Sequence, residues 1–388
     1  MKKITLIIIC MFLAINGIDA QKWNPTFSNV DYAGNGNSKQ MLDIYIPAGV
    51  TSPTGTIVHI HGGAFMMGSK GISEQPSFQT FYNNGYICVD INYRYSTDSI
   101  WPAQIYDCKA AIRYLKANAS LYHIDTCKIG VIGESAGGYL VSMLGTTSQV
   151  SQLEGFHLGN TNVTSRVYAV IDLFGPINFL TMDEEAAVLG FTINTNSANS
   201  PESRLMGAPV QTIPELVTQA NPTTYISPDD ASFFISAGSV DQNIPYTQGQ
   251  YFCEALIPIV GSAKASFELI EGAGHGGSFW HNTTQDAKYL AFFNSALTGC
   301  NTNGMNSKNT INSKLIFYPN PVRETLTMAL TENKIFNVTI FNCYGQIVYT
   351  INSVTKSLRV SCEDLPAGLY IVKATSSSEI LSANFIKQ

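Results

Sequence analysis

From about residue 40 to 297 the chain alternates apolar runs of strand length with stretches of helical period, and few folds accommodate that alternation. MLDIYIP (41–47), GTIVHIHG (55–62), GYICVDINYR (85–94), KIGVIG (128–133), RVYAVIDLFG (166–175), SFFISAG (232–238) and KASFELIEG (264–272) read as strands. Several are apolar almost throughout, the mark of strands covered on both faces. Between them, PAQIYDCKAAIRYLKANASLY (102–122) sets Ile105, Cys108, Ala111, Ile112 and Leu115 on one helical face, with Asp107, Lys109 and Arg113 mostly off it. SAGGYLVSMLG begins a helix at Ser135, and QDAKYLAFFNSAL (285–297) forms a last one. Strands alternating with helices predict an α/β fold, a doubly wound and mostly parallel sheet with helices on both faces.

The two ends read differently. MKKITLIIICMFLAINGIDAQ has two lysines, an apolar run from Ile4 to Ile15 and a small residue, Ala20, at a cleavage position. Residues 1–20 therefore read as a signal peptide, with a run too short to span a membrane, and residues 21–297 as the α/β domain. Cys10 lies inside the apolar run, where it cannot serve as a lipoprotein anchor, and no later run reaches spanning length. Residues 298–314 carry five Asn and almost nothing apolar, so they read as a linker. Residues 315–388 alternate apolar and polar between turn residues, which predicts a small all-β sandwich.

Charge and cysteine content narrow the function classes. Net charge is −6, and no basic run exceeds Lys2-Lys3, so nucleic acid is not an expected partner. Beyond Cys10 lie Cys88, Cys108, Cys127, Cys253, Cys300, Cys343 and Cys362, too sparse for a disulfide scaffold and odd in number. A Cys343–Cys362 bridge is compatible with the spacing but not demanded by it. No Cys or His pair has metal-ligand spacing, and no cofactor is expected.

The chemistry lies in four landmarks. GESAG (133–137) fits G-x-S-x-G, a weak signal alone, but it follows the strand KIGVIG and opens a helix. That context lifts Ser135 onto an exposed turn as a nucleophile. Upstream, HIHGGAFMMGSK (59–70) follows another strand, and its glycine turn exposes main-chain N–H groups that can hold an oxyanion with Ala136. Gly63 and Ala64 are the chosen donors, with Gly62 close behind, and His61 is a brace for the loop. Of the histidines beyond Ser135, His275 in GAGHGG sits on a loop at a strand's C-terminal end, where open α/β sheets place their sites. His281 has no such loop and reads as a surface residue. The acid should end SFFISAG, which selects Asp241 in SAGSVDQNIP, with Asp172 a distant second choice. Asp229 and Asp230 precede that strand and read as turn residues at the wrong end of the sheet.

With those landmarks in place, residues 29–297 resemble the α/β-hydrolase esterases related to hormone-sensitive lipase, and most of all their acetylxylan/feruloyl esterase-like branch. LDIYIP, IHGGAFMMGSK, INYRYS, IGVIGESAGGYL, SPESRLMGAPVQ, PTTYISPDDASFFISAGSVDQNIPYTQ and EGAGHGG carry the likeness. It implies ester hydrolysis through Ser135, His275 and Asp241. Two positions depart from the pattern: relatives usually have His-Gly before the acid where this chain has SAGSVD, and Asn178 stands where Asp is frequent. The tail, with FYPNPVRETLTM, VTIFNCYGQIVY and LPAGLYIVK, resembles the C-terminal sorting domains of type IX secretion cargo in Bacteroidota. It implies the type IX secretion machinery as a partner and a secreted or surface-attached location. A carbohydrate-binding module is the alternative for the tail.

Residues 21–60 leave little room for an N-terminal cap, while the segment between FGPIN and SFFISAG is long enough to cover part of the site. Phe65, Tyr139 and Phe279 flank the motifs and are candidate substrate contacts. An exposed site outside the cell suits an acylated polysaccharide or its oligosaccharides. The resemblance points to acetyl or feruloyl groups on hemicellulose. A broad short-chain carboxylesterase, lipase or polyester hydrolase is the near rival. A prolyl-oligopeptidase-like peptidase lacks its N-terminal propeller here, and a non-catalytic adhesin would not need Ser135, Asp241 and His275.

Overall fold

The computed structural model describes residues 24–298 apart from 72–75 and 149, and residues 315–387 apart from 319–321, 331–334, 343–345, 356, 367 and 377–379. The expected signal peptide and all but the first residue of the expected linker lie outside the described residues. Two compact units result, dividing after residue 301.

The first unit is an eight-stranded sheet: β1 (Phe27–Asp31), β2 (Met41–Tyr45), β3 (Thr54–Ile60), β4 (Ile87–Ile91), β5 (Ile124–Glu134), β6 (Ala169–Leu173), β7 (Ser232–Gly238) and β8 (Ala265–Ile270). They lie in the order β1-β2-β4-β3-β5-β6-β7-β8, antiparallel from β1 to β4 and parallel thereafter. The helices are α1 (Pro76–Asn83), α2 (Ala103–Ala117), α3 (Ala119–Tyr122), α4 (Ala136–Thr146), α5 (Met182–Val188), α6 (Pro201–Met206), α7 (Pro214–Gln219), α8 (Thr247–Val260) and α9 (Thr283–Ala296). Two apolar clusters cover the sheet. One joins Val58, Val89, Ile129, Val131 and Val170 to α2, α4 and α8. The other joins Ile57, Cys88, Ile132 and Ile171 to α1 and α9 through Phe78, Phe81, Tyr289 and Phe293. This doubly wound arrangement matches the α/β expectation, and it brings the ends of β3, β5, β7 and β8 to one edge.

The polar flank of α2 does not face water. Asp107, Lys109 and Arg113 are all fully buried. Asp107 is gripped by Arg94 at 2.7 Å and by the Gln40 amide at 2.7 Å. Lys109 and Arg113 both pair with Glu154, at 2.7 and 3.0 Å. Buried charges survive when each has a partner, and these partners lie 13 to 67 residues away in sequence, beyond the reach of helical periodicity.

The second unit has two antiparallel sheets, a three-stranded one and a four-stranded one. They share a core that includes Leu326, Met328, Val338, Ile340, Val372 and Phe385, the sandwich expected of the tail. Cys362 is a free, buried thiol, so the Cys343–Cys362 bridge is not formed. Cys88, Cys108 and Cys253 are likewise free and buried, whereas Cys127 is disulfide-bonded.

Candidate active site

Ser135 stands between β5 and α4 with φ 55° and ψ −120°, a conformation that costs a non-glycine residue on the order of 1–3 kcal/mol. The chain on either side holds it there. A Cβ at Gly137 would lie 1.9 Å from the Ile60 carbonyl oxygen, so only glycine lets α4 approach β3 this closely. The Ser135 N–H donates to the Leu173 carbonyl at 2.9 Å.

His275 follows β8. The Trp280 indole donates to the Gly274 carbonyl at 3.1 Å, and Phe174 packs edge-on to the imidazole with centroids 4.8 Å apart. Asp241 follows β7, and the Val240 N–H donates to the Ala273 carbonyl at 3.0 Å, tying the two loops together. One carboxylate oxygen of Asp241 accepts from the N–H groups of Asn243 and Ile244, at 2.8 and 3.1 Å. The other lies 2.8 Å from His275 Nδ1, and His275 Nε2 lies 2.9 Å from Ser135 Oγ. A carboxylate only accepts, so Nδ1–H donates to it and Nε2 is left to accept from the hydroxyl. Such a relay can draw the serine proton onto the imidazole as the oxygen attacks a carbonyl.

The loop after β3 turns at Gly63, whose carbonyl accepts from the N–H groups of Met66 and Met67 at 2.9 and 3.0 Å. Gly63 has φ 110°, and Ala64 and Phe65 also have positive φ, at 55° and 59°. Gly63, Ala64 and Ala136 border the same cavity as Ser135 and His275. Among the described residues, the main-chain N–H groups of these three donate to no protein acceptor. Gly62 is not in that lining. Its carbonyl accepts from His61 Nδ1 at 2.7 Å, and His61 stacks on Tyr93 with centroids 4.3 Å apart, the bracing role expected of it.

The cavity has a volume of about 790 Å³. Phe65 lines it, but Tyr139 and Phe279 do not. Tyr139 is fully buried against Phe65 and Phe179, and its hydroxyl donates to the Ala220 carbonyl at 2.7 Å, so it supports the wall from behind. Phe279 is 46% exposed beyond the His275 loop. The far wall comes from the segment between β6 and β7, where α5 and α6 form. Asp172 is not joined to His275. It accepts from the Ser142 hydroxyl at 2.7 Å and the Gly175 N–H at 2.9 Å, and burial pushes its carboxyl up to about 6. Asp230 accepts from Ser227 ahead of β7, the turn role expected there.

A second histidine cluster lies beneath the serine, and sequence reasoning passed over it. His59 on β3 is 2.8 Å from Asp90 and 2.8 Å from Glu134, the residue before Ser135. Burial alone would lower the His59 pKa, but Glu134 and Asp90 outweigh it and hold it up at about 10. Glu134 also faces His281 at 3.5 Å, and His281 Nδ1 lies 2.9 Å from the Ser77 hydroxyl. His281 is thus half-buried and bonded, not a surface residue. The available signal was strand alternation, which puts His59 on the same face of β3 as Ile57, toward Phe78 at a ring separation of 5.3 Å, whereas His61 lies past the strand's end at Ile60 and escapes that alternation. Among the described residues, no group of three or more His, Cys, Asp or Glu side chains is arranged to hold a metal ion.

Residues 42–256 match the BD-FAE family model, and residues 316–388 match the model of a secretion system C-terminal sorting domain. A solved carbohydrate esterase from gut microbiota, in truncated form, is 30% identical with a TM-score of 0.65, over 71% of this chain and 98% of that one. A bifunctional GH43-CE protein of Bacteroides eggerthii is 32% identical with a TM-score of 0.62, over 70% of this chain and 35% of that one. Esterase LipC of Mycobacterium tuberculosis is 29% identical over 240 residues, 61% of this chain and 57% of LipC. The chain spans about half the length of the curated relatives it matches. By its first unit the chain belongs to the BD-FAE family of α/β-hydrolase esterases, with a C-terminal sorting domain behind it.

Proposed function

We propose that this protein is a serine carboxylic ester hydrolase that removes acetyl or feruloyl groups from plant hemicellulose. The observation that carries the reading is the unbroken Ser135–His275–Asp241 relay, at 2.9 and 2.8 Å, opening onto the cavity that Gly63, Ala64 and Ala136 also border. In the reaction, Ser135 Oγ attacks the ester carbonyl while His275 Nε2 takes its proton. The carbonyl oxygen becomes an oxyanion, held by the N–H groups of Gly63, Ala64 and Ala136. His275 returns the proton to the leaving alcohol, and an acyl group remains on Ser135. Water then attacks that acyl group, again losing its proton to His275, and the carboxylic acid leaves with Ser135 restored. Asp241 keeps the imidazole oriented and balances its charge at each step.

The carbohydrate side of the proposal draws on the solved carbohydrate esterase and the bifunctional GH43-CE protein described above. Export through type IX secretion, led by the signal peptide and read from the C-terminal domain, would bring the enzyme to polymeric substrate outside the cell. A substrate panel tests the reading: acetylated xylan, methyl ferulate, nitrophenyl acetate, nitrophenyl butyrate and tributyrin, each with a Ser135→Ala control. Release of acetate or ferulate that vanishes in the control is the expected outcome. Turnover of nitrophenyl butyrate and tributyrin with none of acetylated xylan or ferulate would instead favour a broad short-chain carboxylesterase. The curated relatives with esterase names are consistent with that second reading.

A further inference from the structure

The cavity above Ser135 has a mixed lining. Phe65, Phe174, Met182, Ile193 and Ile244 contribute apolar surface, while Asn194, Asn199, Asn243 and Glu202 contribute polar groups. Glu202 is only 6% exposed, yet it borders the cavity, and it is the one acidic residue to do so among the described residues. Its stretch of chain is firmly built. The Ser200 and Ser203 hydroxyls both donate to the Thr195 carbonyl, at 2.5 and 2.7 Å. Thr195 donates to Asp183 through its N–H at 2.8 Å and its hydroxyl at 2.9 Å. The Arg204 guanidinium donates to the Asn199 side chain at 3.0 Å.

Burial pushes the Glu202 carboxyl above the usual carboxylate range, opposed in part by its own main-chain N–H. The Ser200 hydroxyl gives its one hydrogen to the Thr195 carbonyl, so Glu202 keeps acceptor capacity unused, since an ionised carboxylate has about four lone-pair sites. A buried carboxylate in a substrate cavity carries a desolvation cost unless the ligand brings donors. A hydrocarbon alcohol brings none, whereas adjacent hydroxyls of a sugar ring bring two. A cationic alcohol would also suit a carboxylate, and Asp183 adds a second negative charge near Glu202, but the cavity-lining residues that precede it in the chain, Ser197, Asn199 and Ser200, carry hydroxyls and an amide, which suit a neutral polyhydroxyl partner.

Resting on the hydrolase reading above, we propose that Glu202 recognises the alcohol half of the substrate, its carboxylate accepting hydrogen bonds from the hydroxyls of the acylated sugar. Asn194 and Asn199 add amides to the same lining. Glu202 is thus a substrate-binding residue that sets preference for sugar esters over simple alkyl and aryl esters.

Glu202→Gln and Glu202→Ala in the full chain, assayed on an acetylated xylo-oligosaccharide and on nitrophenyl acetate, test this. Loss of a hydrogen bond to a charged group predicts a fall in kcat/KM on the sugar ester of about 10- to 100-fold, greater for Ala than for Gln. Nitrophenyl acetate should change by no more than about 2-fold, because its leaving group has no hydroxyl for Glu202 to bind. Equal losses on both substrates, or no loss on either, would overturn the proposal. So would a greater loss on acetylcholine than on the sugar ester. Should the variants fail to fold, the unaltered chain still decides: unacylated xylo-oligosaccharide should compete with nitrophenyl acetate, and inhibition by tetramethylammonium alone would overturn the assignment. Absence of nitrophenyl acetate turnover in the unaltered chain would instead remove the hydrolase reading itself, so the two failures are distinguishable.

Discussion

Two histidines sit on either side of the Glu134-Ser135 peptide, each bridging two partners at nearly the same distances. His275 lies between Asp241 at 2.8 Å and the Ser135 hydroxyl at 2.9 Å. His59 lies between Asp90 and Glu134, both at 2.8 Å. What differs is the partners and the access to water. His275 faces one carboxylate and one hydroxyl, and its side chain is 21% exposed to the cavity side. His59 faces two carboxylates and is 3% exposed. An imidazole with one carboxylate and an acidic hydrogen to receive is arranged to shuttle a proton. An imidazolium clamped between two buried carboxylates keeps its proton and serves as a cationic rivet next to the turn that carries Ser135. Distance alone therefore does not identify a catalytic histidine; the chemistry of its second partner does.

That contrast can be broken by exchanging the consequences of mutation. His275→Asn should lower kcat by at least about 10⁴-fold while changing the unfolding free energy by less than about 1 kcal/mol, read by nitrophenyl acetate turnover and urea denaturation. Asp241→Asn should cost about 10⁴-fold in kcat, because an amide can donate to Nδ1 and favour the wrong imidazole tautomer. His59→Leu should act mainly on stability, costing about 3–5 kcal/mol by leaving two buried carboxylates without their cation. A His59 variant that loses activity but keeps full stability would erase the distinction.

The pH dependence of stability sharpens it further. His59 is raised from 6.5 to about 10, so its contribution is fully present below 6.5 and is lost as pH rises through about 10. Burial opposes ionisation of Glu134, but His59 more than compensates and holds its pKa below 4.5. The Glu134 contribution is therefore present above 4.5 and is lost as pH falls through the lowered folded value. Urea midpoints measured from pH 6 to 10.5 should decline at the alkaline end, and His59→Leu should lack that part of the decline. The smallest effect belongs to Phe279→Ala, which should leave kcat/KM for nitrophenyl acetate within about 2-fold, since the side chain is exposed and does not line the cavity.

The same contrast explains what was legible in the sequence. Ser135, Asp241 and His275 each follow an apolar run that forms a strand, so an ordered series of strand ends was enough to bring them to one edge. Residues 55–60 and 128–133 were equally plain as β3 and most of β5. Less visible was β1, a short antiparallel edge strand whose FSNVD sequence buries little. α8 was also missed, because Pro258 interrupts its pattern near the C-terminal end. Buried polar residues were the hardest. Asp107, Lys109, Arg113, His59, His281 and Glu202 owe their places to partners remote in sequence or to a cavity wall, neither of which local periodicity encodes. Tyr139 and Phe279 failed as cavity residues for the converse reason. Closeness to a motif along the chain does not determine which way a ring points.

The central claim is that Ser135 is the nucleophile activated by His275, and covalent labelling tests it most directly. A fluorophosphonate incubated with the full chain should leave one adduct, located on Ser135 by peptide mass spectrometry, absent in Ser135→Ala and strongly slowed in His275→Asn. No adduct on Ser135, or undiminished esterase activity in Ser135→Ala, would contradict the account.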